Sequence, residues 1–260
     1  MGRVQPKKKL GQHFLKDTGI AGKIAASLTG GGYSSVLEIG PGMGILTGFL
    51  IERGFPDFRV IEIDNESVHY LHDNFPDLKT ILTGDFLSMD IDSYFPVKMA
   101  IIGNFPYNIS TQIFFKVLKH REKVVEIAGM LQKEVAERIC AGPGSKTYGI
   151  LSVLLQAYYK TEYLFTVSEN VFSPPPKVKS GVIRLIRNDV SNLDCDEGLF
   201  VRVVKACFNQ RRKTLRNSVR AAFDLNRDDY HEFRLRPEQL SVDQFVQLTR
   251  WIDENRVKSE

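Results

Sequence analysis

Cysteine is scarce: the chain has Cys140, Cys195 and Cys207, an odd number at wide spacing. Such a set argues against a disulfide framework and against a Cys-x-x-Cys metal site, so no metal is expected, and it suits a reducing cytoplasm. Long apolar runs are also missing. No stretch approaches the ~20 residues that cross a bilayer, and no apolar segment follows the early charges up to Lys9, so neither a membrane partner nor a secretory signal is expected. Gly2 opens no myristoylation motif, because Pro6 stands where Ser or Thr is needed. Internal repeats and low-complexity tracts are absent, and nothing asks for an obligate dimer. The expectation is a monomeric, cytoplasmic chain.

What is present is ordinary for a globular protein: 260 residues, 43% hydrophobic and 25% charged, enough for a large domain with a small appendage. The net charge of +4 is mild, but its distribution is uneven. Lys7, Lys8 and Lys9 cluster near the start, and Arg211, Arg212, Lys213, Arg216 and Arg220 form a second knot. A charge run is ordinarily a solvated helix face; two of them on a basic chain also suit a polyanion.

Ile20, Ile24 and Leu28 recur at helical spacing, with Asp17 or Thr18 as cap and Gly30-Gly31-Gly32 as stop. Short β-rich runs then alternate with helical patterns. Strands are expected at 36–39, 59–63, 78–82, 99–103 and 124–130, with helices at 46–53, 66–74 and 110–119. That rhythm predicts a parallel sheet with helices on both faces. A helix is expected at 150–159. Two late strands, 163–167 and 181–186, flank a loop holding Pro174-Pro175-Pro176, which is too short for a crossover helix, so that pair is expected to be antiparallel. Beyond Asn188 only helices are expected, at 197–208, 211–223 and from Val242, the last opened by a Ser241-x-x-Gln244 capping box. The reading is α/β: a sheet domain over 1–190 and a small all-α domain over 191–260.

Four sites carry chemistry. Gly40, Gly42 and Gly44 follow the first strand of the series and precede a helix; glycines there let the backbone turn tightly and approach a ligand. Their Gly-x-Gly-x-Gly spacing differs from the Gly-x-Gly-x-x-Gly dinucleotide fingerprint and suits the amino-acid end of S-adenosylmethionine. Glu62, 22 positions beyond Gly40, stands where a carboxylate accepts from ribose hydroxyls. Asp85, after the next strand, is placed to accept from an adenine amine, although a helix N-cap reads almost as well locally. The fourth site is Asn104-Phe105-Pro106-Tyr107. An adenine amine is a poor nucleophile because its lone pair is delocalised into the ring. Two acceptors, the Asn104 side-chain oxygen and the Phe105 carbonyl, favour a pyramidal nitrogen with its lone pair aimed outward. Pro106 stiffens the turn, and Tyr107 can stack on the base. All four sites fall at carboxyl ends of strands, where open α/β sheets bind ligands.

Leu10-Gly-Gln-His-Phe-Leu15, Glu38 to Gly44, Asn104 to Ser110 and Phe172-Ser-Pro-Pro-Pro-Lys-Val178 together resemble the ribosomal RNA adenine dimethyltransferases. Met130 to Arg138 and Phe208 to Leu215 point to the small-subunit branch of that family. The likeness runs from about residue 8 to 252. It implies a Rossmann-like S-adenosylmethionine-dependent domain followed by a helical domain that binds RNA. It also implies dimethylation of two neighbouring adenosines near the 3′ end of small-subunit (16S) rRNA during subunit biogenesis. By motif, His13 and Leu15 would line the cofactor site with Gly40, Gly42, Glu62, Asp85 and Asn104, and Phe172 would stack on the flipped target base opposite Tyr107. The chain departs from the common pattern in having His at 13, where Asn is frequent, and Phe at 105, where Leu is frequent. Two rivals share parts of this reading: the large-subunit rRNA methyltransferase of the macrolide-resistance type, and a mainly non-catalytic assembly factor.

Overall fold

A computed structural model describes residues 4–257. Its elements run β1 (Phe14–Leu15), α1 (Thr18–Ala26), β2 (Ser35–Ile39), α2 (Ile45–Glu52), β3 (Asp57–Glu62), α3 (Asn65–Asn74), β4 (Ile81–Thr83), α4 (Ile91–Tyr94), β5 (Met99–Asn104), α5 (Ser110–Lys119), β6 (Val124–Gln132), α6 (Lys133–Cys140), α7 (Ile150–Gln156), β7 (Tyr159–Val167), β8 (Phe172–Ser173), β9 (Ser180–Arg187), α8 (Glu197–Asn209), α9 (Leu215–Arg220) and α10 (Val242–Asn255). The main sheet has seven strands in the order β4-β3-β2-β5-β6-β9-β7. The strands from β4 to β6 pair in parallel, β9 joins β6 antiparallel, and β7, across the proline loop from β9, is its neighbour at the sheet edge.

The central strands read as near-continuous apolar runs because both sheet faces are covered. On one face Val36, Ala100, Ile102, Ala128 and Met130 pack with Ala21 and Ile24 of α1 and Leu46 and Leu50 of α2. The alternate set, including Leu37, Ile101 and Ile127, is also fully buried. Asp17 caps α1 by accepting from Ile20 N at 2.9 Å. At its other end Thr29 donates its amide and hydroxyl to the buried Glu126 carboxylate at 2.8 and 2.7 Å, so the exit of α1 is fastened to β6.

The order turns back at β2: β3 and β4 lie on one side of it and β5 on the other. That reversal leaves a crevice at the carboxyl ends of β2 and β5. A second, two-stranded sheet pairs β1 with β8, Phe14 opposite Ser173 and Leu15 opposite Phe172. Sequence periodicity gave no sign of it, since two residues are too few to show alternation.

Packing divides the chain into two compact units, 1–137 with 160–187, and 138–159 with 188–260. Residues 138–159, placed from sequence with the sheet domain, therefore belong to the helical unit. In that unit α8 buries Leu199, Phe200, Val203, Val204 and Cys207, and α10 opens on the expected capping box, with Ser241 accepting from Gln244 N. The helix expected over 211–223 is shorter. Only Leu215–Arg220 is helical, and Arg211, Arg212 and Lys213 lie in the preceding turn. Three cations at a helix N-terminus would oppose its dipole. Among the described residues no helix is long and apolar enough to cross a membrane.

Candidate active site

A single cavity at the carboxyl ends of β2, β3 and β5 is lined by His13, Leu15, Gly40, Gly42, Glu62, Asp85, Asn104, Phe105, Pro106 and Tyr107. These residues come from five separate stretches, so the fold brings together most of the cofactor and target-base positions singled out from sequence. Gly44 falls outside the lining, and so does Phe172. Its ring is 1% exposed and packs in the core with Leu15, Ile24 and Val182, outside the cavity lining. A stacking role would require it to rotate out of that core.

The glycine turn is built for close approach. Gly42 has φ +57°, and a Cβ there would lie 2.9 Å from the Phe14 ring, itself part of the cavity wall. Glu62, at the end of β3, is 4% exposed. Its Oε2 accepts from Gly42 N at 3.1 Å, and its Oε1 accepts from Ile63 N and Asp64 N at 2.9 Å each. A carboxylate has about four lone-pair sites, so Oε2 is the oxygen with capacity to spare. Burial raises its pKa, while the three backbone donors oppose the rise. Asp85 is not an N-cap; its Oδ1 accepts from Leu87 N at 2.9 Å inside a tight turn.

Asn104 closes β5, where it lies opposite Met130 of β6, and Phe105 N donates to Met130 O at 2.9 Å. The Asn104 Nδ2 donates to the His13 carbonyl at 3.0 Å. The amide is thereby oriented, with Oδ1 as its acceptor end. Pro106 backs onto Gly40, whose Cβ position is 3.7 Å from its ring. The Tyr107 hydroxyl shares a 2.5 Å hydrogen bond with Ser180 Oγ, and its ring lies 5.5 Å from that of His13. Burial pushes the Tyr107 pKa up. His13 in turn makes a 2.8 Å hydrogen bond from Nδ1 to Pro174 O.

Phe105 accounts for the departure at that position. Its ring is 1% exposed and stands edge-on to Phe114 at 6.0 Å. It lies over Gly103 and Gly129, which face each other across β5 and β6. A Cβ on Gly129 would sit 2.6 Å from that ring. Bare strands make the room that the aromatic ring needs. These two glycines carried no recognisable signal in the sequence.

Several cations of the two basic clusters meet partners that were not singled out from sequence: Asp64, Glu66, Lys146 and Asp228. Lys7 forms ion pairs with Asp64 and, at 3.0 Å, with Glu66, which raise its pKa. Gln12 Nε2 also donates to Asp64, at 3.4 Å. The segment before β1 is thus tied beside Glu62, and Lys7 is engaged within the protein. Lys8 is exposed, while the side chain of Lys9 lies outside the described residues. In the helical unit Arg212 and Lys213 are exposed, Arg211 donates to the Lys146 carbonyl, and Arg216 and Arg220 share Asp228.

Glu38 lies on the cavity floor, 1% exposed, with Thr47 Oγ1 donating to it at 2.7 Å. Burial pushes its pKa from 4.5 to about 8, and the nearby Glu62 charge adds to the rise while Thr47 opposes it. The folded state therefore binds the proton more tightly than the unfolded chain. The stabilisation is fully present below pH 4.5, is lost as pH rises toward 8, and changes little above it. Glu38→Gln is expected to flatten this decline, with a difference on the order of a few kcal/mol in the slope region. Denaturant melts at pH 5, 6.5 and 8 check it.

The sequence profile described as "Ribosomal RNA adenine dimethylase" matches residues 3–254. The ribosomal RNA small subunit methyltransferase A of Parabacteroides distasonis is 61% identical over 252 residues, 96% of this chain and 94% of that protein. The protein of the same name from Flavobacterium johnsoniae is 57% identical over 263 residues, covering 100% of both. Among solved structures, a dimethyladenosine transferase from Plasmodium falciparum superposes with a TM-score of 0.77 at 25% identity, over 94% of this chain and 99% of that one. The 23S rRNA methyltransferase ErmE shares the fold with a TM-score of 0.66 at 23% identity, over 92% and 99%. With its cavity at the carboxyl ends of a mostly parallel sheet and a profile match over nearly its whole length, the chain belongs to the ribosomal RNA adenine dimethylase family of methyltransferases.

Proposed function

We propose that this enzyme uses S-adenosylmethionine to dimethylate the exocyclic amines of two adjacent adenosines near the 3′ end of small-subunit rRNA, within a pre-ribosomal particle. The observation that carries the chemistry is the Asn104 amide, whose Nδ2 is held by the His13 carbonyl. Its Oδ1 and the Phe105 carbonyl then accept the two amine hydrogens, so the nitrogen lone pair is freed from the ring and aimed away from both. Tyr107, fixed by Ser180, supplies a stacking face for the base.

The cavity fits the cofactor. The glycine turn admits its amino-acid end where a side chain would already fill the space. Glu62 accepts from the ribose through Oε2, and Asp85 accepts from the adenine amine. His13 and Leu15 line the same cavity. When bound, S-adenosylmethionine supplies an electrophilic methyl group on a sulfonium. Alignment of the held amine with that methyl provides most of the acceleration, and no residue of the chain needs to act as a strong base, because a methylated adeninium loses its proton to water readily.

The address on the small subunit is supported by relatives at 61 and 57% identity that bear that name. Likeness to ErmE extends to the fold alone, so the large-subunit reading is not favoured. An intact set at Gly40, Glu62, Asp85, Asn104 and Tyr107 speaks against a purely non-catalytic assembly factor. Incubation with small-subunit particles lacking the modification should give methyl transfer, while naked large-subunit rRNA should not. Activity on the latter alone would reverse the substrate assignment; transfer to neither would favour the assembly role.

RNA phosphates are engaged by Arg212 and Lys213, with Lys8, Lys9 and Arg211 as further candidates. Arg216 is bound to Asp228 and Lys7 to Asp64, which makes both weaker candidates. Replacing Arg212 and Lys213 together by alanine should weaken small-subunit binding and lower its salt slope by roughly two. An unchanged slope would return the pair to plain solvated surface.

A further inference from the structure

Behind the cavity, three backbone carbonyl oxygens converge on one side chain. Lys116 Nζ donates to Phe86 O at 2.7 Å, to Leu87 O at 3.0 Å and to Met89 O, and it lies 5.0 Å from the centre of the Phe86 ring. An ammonium has three donors and no acceptor, so this arrangement uses all of it. The carbonyls belong to one tight turn that Asp85 opens. Asp85 Oδ1 accepts from Leu87 N at 2.9 Å, and its carbonyl accepts from Ser88 N and Met89 N at 3.1 Å each. Gly84 N donates to Glu62 O at 2.9 Å, so the start of the turn is fastened to the end of β3.

Asp85 and Phe86 line the cavity, whereas Lys116 does not. Lys116 belongs to α5, which follows directly from the Asn104 to Tyr107 motif. One side chain thus joins the helix that begins at the target-amine motif to the turn that presents Asp85. The carboxylate of Asp85 and the ammonium attract one another, while burial opposes the ammonium's charge.

We propose that Lys116 is a positioning residue that sets Asp85 for recognition of the 6-amino group of the cofactor's adenine, acting through the turn without touching the cofactor. This rests on the adenine-amine role assigned to Asp85 above. Without the three donors, the carbonyls at 86, 87 and 89 must turn toward water and Asp85 loses its fixed relation to Glu62. The Gly42 and Glu62 contacts do not depend on that turn. The loss should therefore fall on one part of the ligand.

The test is calorimetric titration of the full chain with S-adenosylhomocysteine and with its analogue bearing hydrogen in place of the 6-amino group. The wild-type chain should prefer the former. Lys116→Met keeps the apolar stem and should weaken S-adenosylhomocysteine about tenfold, leaving the analogue unchanged. Lys116→Arg retains a cation, but its planar fork does not match three converging oxygens; it should show a smaller loss of the same kind and decides the matter should Lys116→Met fail to fold. Equal weakening of both ligands, or an unchanged ratio, would make Lys116 a general brace and overturn the proposal. Asp85→Ala separates the two layers. If it keeps the preference, the Asp85 reading falls and takes the inference with it. If it abolishes the preference while the Lys116 variants keep it, only the inference falls.

Discussion

Asn104→Ala is expected to lower the single-turnover rate of methyl transfer by two to three orders of magnitude, roughly the effect of removing one preorganised acceptor or donor from a reacting centre. Two of its consequences separate. The hydrogen bond from Nδ2 to the His13 carbonyl is lost, which costs about 1 kcal/mol of stability and loosens the segment that bears His13 and Leu15. Far more is lost from the reaction, because Oδ1 no longer shares the amine hydrogens with the Phe105 carbonyl and the lone pair returns to the ring. Asn104→Asp is an informative companion. It retains an acceptor but sets a carboxylate oxygen against the His13 carbonyl, so it should be impaired in both folding and rate. Rapid-quench measurement of transfer, beside a thermal melt, checks the pair. A loss under tenfold in Asn104→Ala would place the rate enhancement elsewhere.

Gly129→Ala should be as damaging, through packing. The added Cβ would lie 2.6 Å from the Gly103 carbonyl oxygen on the neighbouring strand and 2.6 Å from the Phe105 ring. Neither is a flexible chain end: one is sheet backbone, the other a buried aromatic wedged against Phe114. The expected cost is roughly 1–3 kcal/mol or more, and the strand shift it forces moves Asn104 and the Phe105 carbonyl directly. Phe105→Leu in the same chain relieves the ring clash but leaves the carbonyl, so rescue should be partial. Phe105→Leu alone should stay active, because the chemistry assigned to position 105 belongs to its backbone. Melting curves and transfer rates for the three variants check this ordering, and full rescue of Gly129→Ala by Phe105→Leu would show that the backbone contact does not matter.

Much of this site was legible in the sequence because its parts are local. Gly40, Glu62, Asp85 and Asn104 each stand at the end of a strand whose apolar run can be read, and a parallel sheet gathers such ends on one edge. What could not be read depended on distant partners. The β1–β8 pair joins two dipeptides from opposite ends of the sheet unit, and it is this pairing that carries Phe172 into the core. Lys7 looked like part of a basic arm until Asp64 and Glu66 were found beside it. The assignment of 138–159 to the helical unit likewise rests on packing that no periodicity reports. Lys116 on its amphipathic helix reads as an ordinary surface cation; only the fold brings three carbonyls to it.

Direction of methyl groups to adenine N6 in small-subunit rRNA is the role proposed for the Asn104 to Tyr107 turn. Its most direct test is nucleoside mass spectrometry of small-subunit particles, lacking the modification, after incubation with the chain and labelled S-adenosylmethionine. Label is expected in N6,N6-dimethyladenosine from two neighbouring positions near the 3′ end, appearing roughly two to three orders of magnitude more slowly after Asn104→Ala. Label in any other nucleoside, or undiminished dimethyladenosine from the variant, would contradict it.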